Sequence, residues 1–142
     1  MRYRSQMGAI LSNAGKTLVS LGRRDEALGV FQQAISHQRE AVRMAPRAAE
    51  CRRRLASHYS DLARLQRLLQ HPADAAAATL ARQELAPDDS SELYLAACEL
   101  SLVAALARTD NTRGSDAKND GGRRYADFSP HAGSSNSNKM AR

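Results

Sequence analysis

The residue pattern predicts an all-α protein of antiparallel helical hairpins followed by a disordered tail. Three observations carry this reading. Apolar residues recur at helical spacing through residues 1–108, without sustained alternation and with few β-branched residues, so no strand is expected. A shift of 48 residues lays the chain onto itself, large residue on large and small on small. Composition then breaks at about residue 108: the segment 109–142 contains no Leu, Ile or Val. Such a segment cannot bury enough apolar surface to offset its chain entropy.

Five helices are expected in residues 1–108. The first runs from about 4 to 21 and ends at Gly22, since glycine commonly follows the last helical turn. The second spans about 24–45. Asp25 and Glu26 sit in its first turn, where the helix dipole favours acids, and Pro46 stops it. The third covers about 47–69. Pro72, tolerated in a first turn, opens the fourth at 72–86, which stops before Pro87. "DDSSE" sets Asp89 and Glu92 at capping-box spacing ahead of a fifth helix over 91–108. In the tail, "GGRRYADF" at 121–128 allows at most one helical turn before Pro130. The tail's composition suits a reading-frame change or a truncation.

The repeat explains an excess of small residues in "LSNAGKTLVSLGRRDEALGVFQQAI", residues 11–35. Under the 48-residue shift Met7 meets Leu55, Leu11 meets Tyr59, Gly15 meets Ala63, Leu21 meets Leu69 and Ala27 meets Ala75. Gly15 and Ala27 let two antiparallel backbones approach, while Leu11, Leu18 and Phe31 fill the space beside them. Thr79 and Arg82 depart from this scheme. They stand where Phe31 and Ala34 predict an aromatic and a small residue, so the fourth helix is expected to pack thinly.

The pattern Leu11, Ala14, Gly15, Leu18, then Ala27, Phe31, Ala34, resembles the tetratricopeptide repeat (TPR) family, as do Tyr59, Leu62, Ala63, Ala75 and Pro87 in a second copy. Leu93, Ala96, Ala97 and Leu100 begin a third. The resemblance implies a short right-handed superhelical array of about 2.5 repeats over residues 1–108. The family's period is about 34 residues. The longer period here is expected to lengthen the second and third helices equally into a projecting arm with Ile35, Val42, Leu55 and Leu62 as its seam. "RRRLASHYSDLARLQRLL" and the segment after it also resemble the C-terminal repeats of planctomycete-type bacterial serine/threonine protein kinases. No Gly-rich loop, HRD or DFG motif accompanies them, so kinase activity is not implied. Met1 falls inside the extended first helix, as expected of a gene fragment or a shortened relative.

In this family the first helix of each repeat lines an inner groove. Carried over by pattern, the groove positions are Ser12, Asn13, Lys16, Ser57, Ser60, Arg64, Arg67 and Tyr94. Lys16 and Asn13 alone echo the family's carboxylate clamp, too little to predict that specificity. The implied function is non-catalytic binding of a protein or peptide. The alternatives are a detached regulatory segment that partners a kinase, and an acidic or nucleic-acid partner at the hairpin tip.

The tip gathers Arg39, Arg43, Arg47, Arg52, Arg53 and Arg54, partly offset by Glu40 and Glu50. The net charge is +6, but it is spread: residues 1–108 hold 15 basic and 11 acidic groups, and the tail 6 and 4. A nucleic-acid binder concentrates its charge, and 4% aromatics with no Trp disfavour base stacking. Self-association is expected through Met7, Ile10 and Leu18, which have no upstream repeat to cover them. Cys51 and Cys98 read as small buried hydrophobes, and the four histidines share no metal-ligand spacing. "DAKNDGG" at 116–122 places Lys118 where a calcium loop needs an oxygen. No cofactor or metal is expected. "MRYRSQMGAIL" lacks signal-peptide features and no stretch is expected to approach the roughly 18 apolar residues of a membrane span, so a cytoplasmic location without membrane contact is expected.

Overall fold

The computed structural model describes residues 2–126, with side chains through Arg113. Its Cα framework divides after Arg108 into two units, of which the first carries the side-chain detail below. The described residues form helices α1 (Arg2–Ser20), α2 (Arg24–Met44), α3 (Ala49–Leu68), α4 (Pro72–Gln83) and α5 (Ser90–Ala126), and none of them is in a strand. The chain is all-α as its periodicity predicts.

Consecutive helices pack in pairs: α1 on α2, α2 on α3, and α3 on α4. The first pair crosses on small residues. The buried face of α1 consists of Ser5, Gly8, Ser12 and Gly15, with no large side chain among them. A Cβ on Gly15 would lie 2.8 Å from the Phe31 ring, and one on Gly8 would lie 3.1 Å from the Ala34 carbonyl oxygen. The opening spacing thus serves close backbone approach, and Phe31 with Ala27 and Leu65 forms the core it protects.

The 48-residue repeat is written into the backbone. At the α1–α2 turn Gly22 has φ +76°, its N–H donates to the Val19 carbonyl, and the Arg23 N–H donates to the Leu18 carbonyl at 2.9 Å. At the α3–α4 turn Gln70 has φ +61°, its N–H donates to Arg67, and the His71 N–H donates to Gln66 at 2.9 Å. Every partner is displaced by the same 48 positions. This is the left-handed helix stop that glycine favours, adopted the second time by a residue with a side chain.

α2 and α3 are long, with 21 and 20 residues against 12 in α4, and they run unbroken through Gln38 and Leu55. They do not project past α1 as an arm, because the start of α1 reaches their tip: Arg2, Ser5 and Gln6 line a cleft with Ala48, Glu50 and Cys51. Ile35 and Leu55 of the seam are buried, Val42 and Leu62 half-buried. Gln38, fully buried, ties the two helices by donating from Nε2 to the Cys51 carbonyl at 3.0 Å.

Several expectations need correction. α3 starts at Ala49, because the residues after Pro46 form a turn whose Ala48 N–H donates to the Ala45 carbonyl. α4 ends at Gln83, because Leu85 and Ala86 tighten into a turn before Pro87. Cys98 is exposed, not buried, while Cys51 is buried as read. α4 is not thinly packed at its unusual residues: Thr79 and Arg82 are both buried. The fifth helix does not stop at Arg108 but continues to Ala126. An apolar face is needed for packing, not for the local hydrogen bonds of a helix, and no proline interrupts the chain before Pro130. The disorder expected for residues 127–142 concerns positions outside the described residues. α5 also corrects the membrane reading in one respect: Ser90–Arg113 is long and apolar enough to cross a membrane by length and composition.

Candidate functional site

α1 and α3 touch, and the polar contacts between them keep one register. Arg54 Nη1 donates to Ser5 Oγ at 3.5 Å, and Ser12 Oγ donates to Asp61 Oδ2 at 3.4 Å. Each pair is separated by 49 residues. A constant positive offset means that the two helices run parallel, as the first helices of successive repeats must. Lys16 Nζ adds an ion pair to Asp61 at 3.0 Å. Val19, Phe31, Arg64, Leu65 and Leu68 complete a small cleft of about 40 Å³ beside it.

Of the groove residues, the structure gathers Ser12, Lys16 and Arg64 around Asp61. Ser12 is buried and engaged, while Lys16 and Arg64 are exposed. Asn13 and Ser57 are exposed on the same two helices, and the Asn13 carbonyl accepts from Thr17. Ser60 turns away: its Oγ accepts from Arg82 Nη1 of α4 at 3.3 Å. Arg67 is half-buried, and its buried Nη1 has no hydrogen-bond partner among the described residues. Tyr94 lies on α5, 70% exposed. The carboxylate-clamp echo is blunted, because Asp61 already neutralises Lys16.

Behind Asp61, His58 is buried with neither ring nitrogen hydrogen-bonded among the described residues. Burial pushes its pKa below the usual imidazole value. Asp61 pulls it upward, and Lys16 and Arg54 push it down.

The second polar cluster joins α4 to α5. Arg82, 5% exposed, donates from Nη1 to Glu99 Oε1 at 3.0 Å, and its Nε lies 3.1 Å from Glu92 Oε2. Thr79 Oγ1 lies 3.1 Å from Glu99 Oε2 and also donates to the Ala75 carbonyl. α5 is held to α4 by these side chains and does not lie along it as α2 lies along α1. Arg82 also lines an open cleft of about 500 Å³ with Arg52, Arg53, Asp88, Asp89 and Glu92. Mixed charges line that cleft, so no one sign of ligand is favoured.

At the tip, the arginines are largely occupied. Arg43 pairs with Glu40 at 2.7 Å, and Arg53 and Arg54 pair with Glu50 at 2.7 and 2.9 Å. These arginines hold both carboxyls below the usual carboxylate range. Arg52 donates to the Pro46 carbonyl. Arg39 and Arg47 have no ion-pair partner among the described residues. No group of three or more His, Cys, Asp or Glu among the described residues is placed to hold a metal ion.

Asp61 and Glu99 were missed in the sequence reading, though each leaves a trace there. The repeat offset pairs residues of the first helix with residues about 48 positions on, which brings Asp61 to Ser12. Arg82 at a small-residue position requires a counter-charge, and Glu92 and Glu99 recur seven apart on one helical face. Comparison of the chain with protein-family models, with curated proteins and with solved structures returns no match.

Proposed function

We propose that the chain is a non-catalytic protein-interaction module, a short TPR-like array that binds an acidic peptide or helix along the α1–α3 surface. The single register that runs α1 parallel to α3 carries this reading. Two adjacent parallel helices offer one continuous face, with Lys16 and Arg64 on its solvent side and Asn13 and Ser57 beside them. An extended acidic segment laid on that face meets Arg64 and the hydrogen-bonding groups of Asn13 and Ser57, and competes with Asp61 for Lys16.

The tip supports a nucleic-acid role less well, since intrahelical carboxylates already engage Arg43, Arg53 and Arg54. Nothing in the geometry favours a kinase accessory over a general interaction module. The test is selection from a displayed peptide library on the full chain. Enrichment of acidic peptides that is lost with Lys16→Glu/Arg64→Glu, and retained with Arg39→Glu/Arg47→Glu, supports the reading. Loss with the tip pair and retention with the groove pair overturns it.

A further inference from the structure

One flank of α5, about a third of a turn round from the stripe that meets Arg82, is apolar and uncovered. Glu92, Ala96, Glu99 and Val103 form the inward stripe of the helix, with Ala96 and Val103 buried. On that flank, Ser91, Leu95, Cys98, Leu102 and Ala105 recur at three- and four-residue steps, and all five are exposed. Leu102 is 59% exposed. Leu95 and Leu102 are seven apart, with Cys98 between them, which is the seam of a two-helix coiled coil.

The ends of the apolar stretch differ in sign. Exposed Asp88 and Asp89 stand at its start, Glu92 being held inward by Arg82, and exposed Arg108 stands at its far end with half-buried Asp110 beyond it. A parallel partner of the same kind would set like charges side by side. An antiparallel one sets Arg108 of each copy beside the acidic start of the other, twice over because the contact is two-fold. From this charge complementarity we infer that this flank of α5 is the interface of an antiparallel homodimer, with Leu95 of each copy packed near Ala105 of the other and Cys98 near Leu102. A membrane is the other apolar environment that α5 suits by composition, but burial there would also strand Glu92 and Glu99, which α5 keeps against Arg82.

Sedimentation of the full 142-residue chain over a concentration series tests this. A monomer–dimer equilibrium is expected, and Leu102→Glu raises the dimer dissociation constant about tenfold or more. Ile10→Glu, on the exposed side of α1, leaves it unchanged. Arg108→Glu and Asp88→Arg each weaken the homodimer, and an equimolar mixture of the two variants restores association. In the unmutated chain the two Cys98 thiols sit about 6 Å apart along the helix axis, so a short bismaleimide links them. Any loss of folding in Leu102→Glu is read from its helicity, and the cross-link and the charge-swap mixture stand independently of that variant. A chain that is monomeric throughout, a dimer abolished by Ile10→Glu and indifferent to Leu102→Glu, or a mixture no stronger than its components overturns the proposal. So does Leu102-dependent sedimentation with phosphatidylcholine vesicles in place of dimerisation.

Discussion

Gly15 and Gly29 are both helical glycines, and they should respond oppositely to the same change. A methyl at Gly15 meets three atoms of the Phe31 ring at 2.8–3.1 Å, and that ring is 2% exposed and cannot swing away. Overpacking outweighs the gain in helix propensity, so Gly15→Ala costs about 1–2 kcal/mol. Nothing lies within 4 Å of a Cβ on Gly29, so Gly29→Ala gains about 0.5–1 kcal/mol from propensity alone. Urea midpoints of the two variants decide the point. Gln70 is the converse case, a side chain in the conformation that Gly22 adopts without strain. Gln70→Gly should stabilise by about 0.5–1 kcal/mol, with the relief of left-handed strain partly offset by the entropy of a freer unfolded chain. His58 adds a pH dependence. The folded state lowers its pKa, chiefly by burial, so the unfolded chain takes the proton first. Stability is therefore full above the unfolded value of about 6.5 and falls as pH drops from there toward the lower folded value. Denaturant titrations across that window should lose this slope in His58→Leu, while the neutral-pH midpoint does not fall. Glu26, Glu40 and Glu50, held below the usual carboxylate range by their arginines, act in a separate and more acidic window.

At the scale of the helices, what was legible followed local chemistry. Gly22, Pro46, Pro72 and Asp89 mark boundaries through backbone and capping rules that act within a few residues. Asp89 does cap α5, accepting from the Ser91 N–H at 2.8 Å and the Glu92 N–H at 3.3 Å. Glu92 does not complete the reciprocal half, because its carboxylate is drawn to Arg82. That competition is tertiary, so spacing alone could not reveal it. The extent of α5 was missed for a related reason: composition reports on packing, while a helix needs only unblocked backbone groups. Within the candidate site, Lys16 and Arg64 were legible from the repeat pattern, whereas Asp61 acquires its role only from the α1–α3 register. Arg82 gives this scale its prediction. Arg82→Leu leaves Glu92 and Glu99 without their shared counter-charge. Both carboxylates are partly exposed and can recruit water, so the cost is about 1–3 kcal/mol, less than for a fully buried pair. Hydrogen exchange should show the loss concentrated in the first turns of α5, with α1 and α2 protected as before.

For the whole molecule, stability must come from few interfaces. Helical hairpins gain stability from each additional neighbour, and here two hairpins and α5 share the load. Both outer helices keep large apolar side chains in water, Ile10 on α1 and Leu102 on α5. A chain of this kind should melt at modest temperature, and self-association should raise the midpoint as concentration rises, by mass action. Everything proposed for the α1–α3 surface depends on the two hairpins standing in parallel register. Nuclear Overhauser contacts between α1 and α3 of the full chain test that register most directly. Cross-peaks between Ser12 and Asp61 and between Ser5 and Arg54, both at an offset of 49, together with Gly15 to Phe31 within the first hairpin, are the predicted result. A first hairpin intact through Gly15 and Phe31, with α1–α3 contacts absent or at another offset, would contradict it.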